Sequence, residues 1–266
     1  MIHALYFSAT GTTEKIVRKI AEELSNNIKL KVNFIDFTLA EARKKSPYFA
    51  ENDLVIVGIP VYAGRVPNVL LSYLNSVKAD GALAVAVVAC GNRNYDDALI
   101  ELKDILETNN FKVIAAGAFV GEHSFSNILA KGRPDNNDID IANNFAMQIY
   151  EKIGANDYKA VEVKGNRPYR PYYKPKDAQG KFVDIRKVTP KTNNTCTNCK
   201  LCVEVCTMDS IDYNDVSRLK GICIKCGACI KKCPVEAKYY DDENYLRHKY
   251  ELEVECDIRR EPELFL

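Results

Sequence analysis

Eight of the ten cysteines in this 266-residue chain lie between residues 196 and 233, in two sets of four with the same spacing. Two residues separate neighbours among the first three cysteines of a set, and three residues precede the fourth. The second set follows the first at an offset of 27 residues, so we expect two copies of one unit facing each other about a pseudo-twofold axis. Three thiols at this spacing can each reach a different iron of one [4Fe–4S] cube, whereas the fourth turns away and is better placed to bind the cluster of the other copy.

The spacing therefore predicts two [4Fe–4S] clusters that exchange one ligand each. The first is held by Cys196, Cys199, Cys202 and Cys233, and the second by Cys223, Cys226, Cys229 and Cys206. The segment resembles a bacterial ferredoxin with two clusters. A zinc site usually takes two pairs of ligands rather than triplets, and a disulfide framework is typical of small secreted chains, so the pattern disfavours both alternatives.

Five apolar runs of strand length alternate with helical patterns in the first 155 residues. The strand runs are 2–7, 31–37, 53–59, 82–90 and 111–120, and the helical patterns are 14–24, about 39–45, 67–77, 95–109 and 138–153. The strand runs lack polar alternation, which is typical of parallel strands buried on both faces. We therefore predict an α/β fold with a doubly wound, five-stranded parallel sheet and a ligand at the carboxyl ends of its strands.

The loop after the first strand indicates what that ligand is. Its hydroxyl groups belong to Ser8, Thr10, Thr12 and Thr13. Gly11 adds backbone freedom, and the N-terminus of a helix follows, so the loop can cradle an anion. It has no lysine, unlike the GxxxxGK[ST] nucleotide loop, and such a cradle suits the phosphate monoester of FMN. A capping turn that only starts the helix is the alternative.

Two later loops leave the same edge of the predicted sheet. Residues 60–67 follow the third strand and residues 91–95 follow the fourth. With the [S/T]-x-T-G-x-T pattern of residues 8–13, these loops resemble those of flavodoxins. The resemblance implies that FMN is also held by Pro60, Val61, Tyr62, Ala63, Gly64, Gly91, Asn92 and Tyr95. It further implies that Tyr62 and Tyr95 flank the flavin ring and that Gly64 lets a peptide group turn toward it. The alternative is that both tyrosines only cap the sheet edge.

Four further residues have separate predictions. Cys90 and Cys256 have no partner in the repeat, and we expect them to pack as small apolar residues. His123, just beyond the fifth strand, either reaches the rim of the flavin or only hydrogen-bonds within a turn. Thr207 stands where the other copy has Pro234, so its backbone N–H could bond a cluster sulfur and raise that cluster's potential.

These patterns divide the chain into four parts. Residues 1–155 form the flavodoxin-like domain, 156–190 an extended linker, 191–240 a small α+β ferredoxin-like domain, and 241–266 a helix with a docking tail. Residues 161–191 contain nine basic and three acidic side chains, an excess of +6. This segment could steer an acidic redox partner, or its tyrosines could pack on the first domain. Its length would let the clusters face the flavin of the same chain or that of a partner in a homodimer.

Composition excludes several classes of function. The net charge of +1 argues against a general nucleic-acid binder. The longest apolar runs are far shorter than the roughly 18 residues of a membrane helix, and the N-terminus gives no export signal. Because thiolate-bound clusters need a reducing environment, we expect a cytoplasmic protein that works with a redox donor or acceptor protein.

Together the motifs resemble the flavodoxin–ferredoxin fusion proteins of anaerobic bacteria and archaea. This resemblance implies an electron-transfer protein that passes single electrons between two [4Fe–4S] clusters and FMN. The alternative is an FMN-dependent reductase of a small substrate, with His123 and Tyr95 as the available proton donors. A binding module without cofactors is disfavoured because all eight ligand cysteines are present.

Overall fold

A computed structural model describes all residues, 1–266. The first part of the chain alternates strands and helices: β1 (Ile2–Tyr6), α1 (Thr12–Ile28), β2 (Val32–Asp36), β3 (Tyr48–Phe49), β4 (Leu54–Pro60), α2 (Leu71–Ser76), β5 (Lys78–Ala79), β6 (Leu83–Cys90), α3 (Ala98–Thr108), β7 (Lys112–Val120) and α4 (Asn136–Gly154). The second part has short elements: β8 (Lys191–Thr192), α5 (Leu201–Glu204), α6 (Ala228–Lys231), β9 (Lys238–Tyr239), α7 (Glu243–Glu255) and β10 (Glu263–Phe265).

The central sheet confirms the predicted α/β fold. Its strand order is β10-β7-β6-β4-β1-β2, and the four pairings from β7 to β2 are parallel. The sheet has six strands rather than the predicted five, because β10 pairs antiparallel with β7, with Glu263 opposite Ala118 and Phe265 opposite Ala116. The C-terminal tail therefore covers an edge of the sheet that would otherwise expose unpaired backbone groups.

Helices cover both faces of the sheet, as in a doubly wound fold. Side chains of α1 and α4 form a buried cluster of 20 residues with one face, and side chains of α2 and α3 join a cluster of 31 residues on the other. On the α1 face, a Cβ atom at Gly58 would collide with Val17, so the glycine lets α1 approach β4 closely. This packing fixes the start of α1 relative to the carboxyl end of β1.

The helix predicted at about residues 39–45 is only a 3-10 turn, Glu41–Lys44. None of its four residues is buried, so no apolar face stabilises a longer helix. Arg43 donates to the backbone oxygens of Phe37 and Thr38 and so holds the turn against the end of β2. The same side chain reaches the second part of the chain.

Residues 155–190 contain little regular structure, but they are bound to the first part of the chain. The Val161 N–H donates to the Val113 oxygen of β7 at 3.0 Å. The buried carboxylate of Asp97 accepts the backbone N–H groups of Asn166 and Arg170, at 3.0 and 2.7 Å. The segment thus runs across the first part of the chain as a fixed strap.

The cysteine-rich part packs directly on the carboxyl edge of the sheet of its own chain. Ala228 is fully buried in the same apolar cluster as core residues of the sheet. Lys231 forms an ion pair with Glu122 at 2.5 Å, and Arg43 donates to the Thr207 oxygen at 2.6 Å. None of the helices combines the length and the apolar composition needed to cross a bilayer.

Candidate functional site

The loop between β1 and α1 is held in one conformation by its own hydrogen bonds. The hydroxyl of Ser8 accepts the N–H of Glu14 at 3.0 Å, and the Ser8 N–H donates to the Thr38 hydroxyl at 2.8 Å. Gly11 has a φ of +90°, a left-handed conformation that favours glycine, directly before α1. Ser8 therefore stabilises the conformation of the loop, and the lone pair that accepts the Glu14 N–H cannot also bind a ligand.

Three threonines of this loop face a cavity. The hydroxyls of Thr10, Thr12 and Thr13 make no hydrogen bond within the protein, and all three residues line the cavity. The first amides of α1 have no partner inside the helix and lie at its positive end. A Cβ atom at Gly121 would lie 2.8 Å from the Cβ of Thr12, so the backbone after β7 comes close to the loop. Free hydroxyls and amides at a helix N-terminus fit the phosphate monoester of FMN.

The cavity lies where the loops after β1, β4, β6 and β7 meet, and it encloses about 460 Å³ of space including its open mouth. Its lining comprises Ala9, Thr10, Thr12, Thr13, Pro60, Val61, Tyr62, Ala89, Cys90, Gly91, Gly121, Glu122, His123, Ser124 and Cys226. Seven of the residues that the sequence assigns to FMN are therefore brought together: Thr10, Thr12, Thr13, Pro60, Val61, Tyr62 and Gly91.

Six other predicted FMN residues do not line the cavity: Ser8, Gly11, Ala63, Gly64, Asn92 and Tyr95. The Asn92 amide donates to the backbone oxygens of Cys256 and Ile258, at 2.6 and 2.9 Å. Tyr95 is 7% exposed and its hydroxyl donates to Glu263 at 3.0 Å. Both side chains thus hold the C-terminal tail. Tyr95 therefore does not form a wall of this cavity, although it is predicted to flank the flavin ring.

Tyr62 begins a tight turn at the mouth of the cavity. Its N–H and oxygen pair with the oxygen and N–H of Arg65, at 3.0 and 3.1 Å. The two central residues, Ala63 and Gly64, have φ values of +52° and +77°, as a type I′ turn requires. A Cβ atom at Gly64 would collide with the carboxylate of Asp96, so only glycine fits there. The turn positions the Tyr62 ring as one wall of the cavity.

The Tyr62 hydroxyl is buried close to two cysteines of the repeat. Burial raises the pKa of its hydroxyl well above the ordinary value, and the nearby Cys226 and Cys223 thiolates raise it further. The Tyr62 hydroxyl therefore remains protonated and brings no charge to the cavity.

One predicted set of four cysteines lines a single cavity, and the thiols of the other predicted set lie close enough to one another to repel electrostatically. Cys196, Cys199, Cys202 and Cys233 line one cavity together. In the other set, burial raises the pKa of the Cys226 thiol, and repulsion from Cys223 and Cys206 raises it further. No three His, Cys, Asp or Glu side chains are arranged as ligands of one metal ion; four thiols border a cavity instead. This donor set fits an iron–sulfur cube, whose ligands surround a volume.

The two copies of the repeat keep the same backbone geometry. The Ser210 N–H donates to the Cys206 sulfur at 3.2 Å, and the Ala237 N–H, 27 residues later, donates to the Cys233 sulfur at the same distance. Left-handed φ values also recur at this offset, in the pairs Asn198 and Lys225, Lys200 and Gly227, and Asp209 and Glu236. The copies therefore have equivalent ligand loops and equivalent hydrogen bonds to the fourth thiol.

Thr207 contributes a side-chain donor to a cysteine of the repeat. The backbone N–H that reaches the fourth thiol of its copy belongs to Ser210. Thr207 instead donates its hydroxyl to the sulfur of Cys226, at 3.6 Å. Thr207 is 1% exposed, so this contact is shielded from water. This hydrogen bond joins the first copy of the cysteine repeat to a thiol of the second copy.

Eight residues of the cavity lining lie outside the predicted FMN set, and three of them have reactive or titratable side chains that the sequence analysis names. Cys90 is buried in the cavity wall, and burial raises the pKa of its thiol to about 11, so it remains protonated. His123 lines the cavity and also accepts the Phe125 N–H through Nδ1 at 3.1 Å, within its turn. Cys226 is the one repeat cysteine in the lining. Its position depends on domain packing, for which the sequence carries no signal.

Two family models match this chain. Residues 4–122 match the flavodoxin domain, and residues 193–209 and 220–240 match the 4Fe-4S binding domain. Similar solved structures include a flavodoxin from the domain Archaea (15% identity, TM-score 0.42), oxidised Flavodoxin 2 from Bacillus cereus (17%, 0.42) and the flavodoxin of Streptococcus pneumonia TIGR4 (19%, 0.40). Each covers 57% of this chain and 98% of its own. No curated protein matches the chain.

The chain is therefore a fusion of an N-terminal flavodoxin domain and a C-terminal 4Fe–4S binding domain, as the sequence predicts. A flavodoxin domain implies FMN, and a 4Fe–4S binding domain implies an iron–sulfur cluster. The protein thus belongs to the electron-transfer proteins that use flavin and iron–sulfur centres.

Proposed function

We propose that this protein passes single electrons between two [4Fe–4S] clusters and FMN within one chain. When bound, FMN exchanges one or two electrons and each cluster exchanges one, so the pair converts between the two kinds of chemistry. One observation carries the proposal: Cys226 lines the same cavity as Thr10, Thr12 and Thr13. A cluster ligand and an anion cradle therefore border one space.

In this proposal the protein residues have separate roles. Thr10, Thr12 and Thr13 hold the phosphate of FMN, and Tyr62 forms a wall beside the ring. The set containing Cys226 lies next to the flavin. The other set, which includes Cys199, the one exposed cysteine of the chain, lies on the outer side. This order supports exchange with an external redox protein at the outer set.

Cofactor content is the first test. Protein purified without oxygen should contain about eight iron atoms and one FMN per chain, because two cubes hold four irons each. A protein with flavin but no iron, or with iron but no flavin, would refute the intramolecular route.

The route itself is tested by rapid mixing with a reduced ferredoxin while the cluster and flavin absorbance are followed separately. Wild-type protein should show cluster reduction followed by flavin reduction. Cys226→Ala should uncouple the flavin from the donor, whereas Cys90→Ala, which alters the cavity wall without removing a cluster ligand, should not. Equal flavin reduction in all three proteins would exclude the clusters as the path. Rapid turnover of NAD(P)H at the flavin would instead support the alternative reductase function.

A further inference from the structure

His123 has one nitrogen engaged by the protein and one nitrogen free. Nδ1 accepts the backbone N–H of Phe125 at 3.1 Å, and an acceptor nitrogen carries no proton. The proton of the neutral ring therefore lies on Nε2. This nitrogen makes no hydrogen bond in the protein. It is also not buried, since the buried polar atoms without a partner belong only to Tyr73, Asn143 and His248. Nε2–H is thus open to the space beside it.

The imidazole ring is also fixed in place. A Cβ atom at Gly91 would lie 2.8 Å from the ring carbon Cγ, so the ring packs directly on the backbone after β6. On its other side, the Phe125 ring stands edge-on, with a centroid distance of 5.4 Å and an interplanar angle of 76°. Two neighbours and one hydrogen bond therefore hold the ring at the cavity.

The groups around His123 keep it neutral. Burial lowers its pKa to about 4, and the positive charges of Lys231 and Arg93, together with His248, act in the same direction. The carboxylate of Glu122, also in the cavity wall, is already paired with Lys231. The ring is therefore a neutral donor near pH 7, with the proton on Nε2.

We propose that His123 donates its Nε2–H to an acceptor atom on the flavin ring and so helps to bind and orient FMN. This inference rests on the proposed function, because it requires flavin in the cavity. The three threonines supply donors from the loop between β1 and α1. His123 comes from a different loop, after β7, and Tyr62 comes from the loop after β4. His123 is then a cofactor-binding residue at the ring and not at the phosphate.

Two matched variants test the role of Nε2–H. Both His123→Phe and His123→Gln remove Nδ1, the acceptor of the Phe125 N–H, but only glutamine places an N–H donor near the position of Nε2. The dissociation constant of FMN is measured by flavin fluorescence on flavin-depleted protein that retains its clusters. His123→Phe should weaken binding roughly 3- to 10-fold, the effect of one neutral hydrogen bond, and His123→Gln should restore most of it.

The flavin midpoint potential gives a second readout. A hydrogen-bond donor favours the reduced ring, which carries more negative charge, so His123→Phe should lower the potential and His123→Gln should not. Riboflavin, which lacks the phosphate, should show the same fold-loss as FMN.

Equal losses in both variants, or no loss in His123→Phe, would overturn the proposal, and a loss seen with FMN but absent with riboflavin would assign His123 to the phosphate instead. Wild-type protein that binds no FMN would contradict the proposed function itself, which separates the two failures.

Discussion

Thr207 joins the two copies of the cysteine repeat at one buried contact. Its hydroxyl donates to the sulfur of Cys226, the cysteine that lines the same cavity as the three threonines. At the equivalent position of the other copy stands Pro234, which has neither a hydroxyl nor an N–H. Thr207 therefore gives the set containing Cys226 a side-chain donor that Pro234 cannot give to the other set, and donors to sulfur raise the potential of a cluster.

Replacing Thr207 by valine should lower the potential of one cluster only. The variant removes the hydroxyl but keeps the shape of the side chain, so the set containing Cys226 loses one donor. A hydrogen bond of about 0.5–1.5 kcal/mol corresponds to roughly 20–60 mV for a one-electron couple. Potentiometric titration followed by electron paramagnetic resonance resolves the two clusters. Thr207→Ser, which keeps the hydroxyl, is the control, and equal shifts of both clusters would contradict the assignment.

Residue types that act through fixed spacing could be predicted from the sequence. The cysteines within each set and the three free threonines of residues 8–13 are examples, because the members of each group lie only a few residues apart in the chain. Asn92 and Tyr95 could not be predicted in the same way. Their partners, the backbone of Ile258 and the carboxylate of Glu263, lie more than 160 residues away. Only the folded tail shows that these side chains are already engaged.

At the scale of elements, the strap of residues 155–190 is fixed through one buried carboxylate. Asp97, at the start of α3, is fully buried and accepts two backbone N–H groups of the strap and the side-chain amide of Asn166. Burial alone would raise the pKa of this carboxyl, but the hydrogen bonds from Arg170 and Asn166 outweigh it and hold the pKa below 3.8. The strap thus depends on the ionised form.

Asp97→Asn should destabilise the protein by about 1–3 kcal/mol, because charge-assisted bonds to the strap are lost. Since the pKa is lower in the folded than in the unfolded protein, the contribution is complete above the unfolded value of about 3.9 and is lost as the pH falls through the folded value. Denaturant unfolding should therefore give a wild-type-to-variant difference that is constant from pH 6 to pH 8. Asp140→Asn, on the exposed face of α4, is the control. A difference that vanishes at pH 8 would contradict this role.

The C-terminal strand β10 is an element that the sequence predicts only as a docking tail. Its three residues pair with β7, and Glu263 also receives the Tyr95 hydroxyl. Three residues are too few to show a strand pattern, and pairing with a distant strand leaves no local signal. The five parallel strands were predictable for the opposite reason, since each is a long apolar run.

Ending the chain at Arg260 should lower the melting temperature by about 2–8 °C, the effect of roughly 1–2 kcal/mol in a protein of this size. It also leaves the edge of β7 unpaired, so the truncated protein should associate at high concentration. Differential scanning calorimetry and light scattering measure the two effects. Glu263→Gln, which keeps the strand and alters one carboxylate, should change the melting temperature by a smaller amount. An unaltered melting temperature after truncation would show that β10 contributes no stability.

At the scale of the whole molecule, the two domains share one core. Ala228 of the cysteine-rich domain is fully buried among side chains of the flavodoxin domain. The Lys231–Glu122 ion pair and the Arg43 contact with Thr207 span the same boundary. The sequence predicts both domains because each has its own motif, but it cannot predict their contact, which depends on surfaces far apart in the chain.

Loss of the clusters should therefore weaken flavin binding. Without iron the ligand loops lose the bonds that order them, and the wall of the cavity around Cys226 and Ser124 loosens. Extraction of the clusters should raise the dissociation constant of FMN, as measured by fluorescence. Cys199→Ser alters the set that lies away from the cavity and should have a smaller effect than Cys226→Ser. Identical FMN affinity with and without clusters would show that the domains are independent modules.

One left-handed position of the repeat decides which half can pack on the flavodoxin domain. Lys200 and Gly227 occupy equivalent sites with φ values of +65° and +79°. A Cβ atom at Gly227 would lie 2.7 Å from the Ser124 oxygen, whereas Lys200 extends to Asn198 and Tyr213 within its own copy. A side chain at residue 227 would therefore push the second half of the repeat off the flavodoxin domain, whereas the first half has room for a lysine at the same site. This single site distinguishes the half that packs on the sheet edge from the half that faces away.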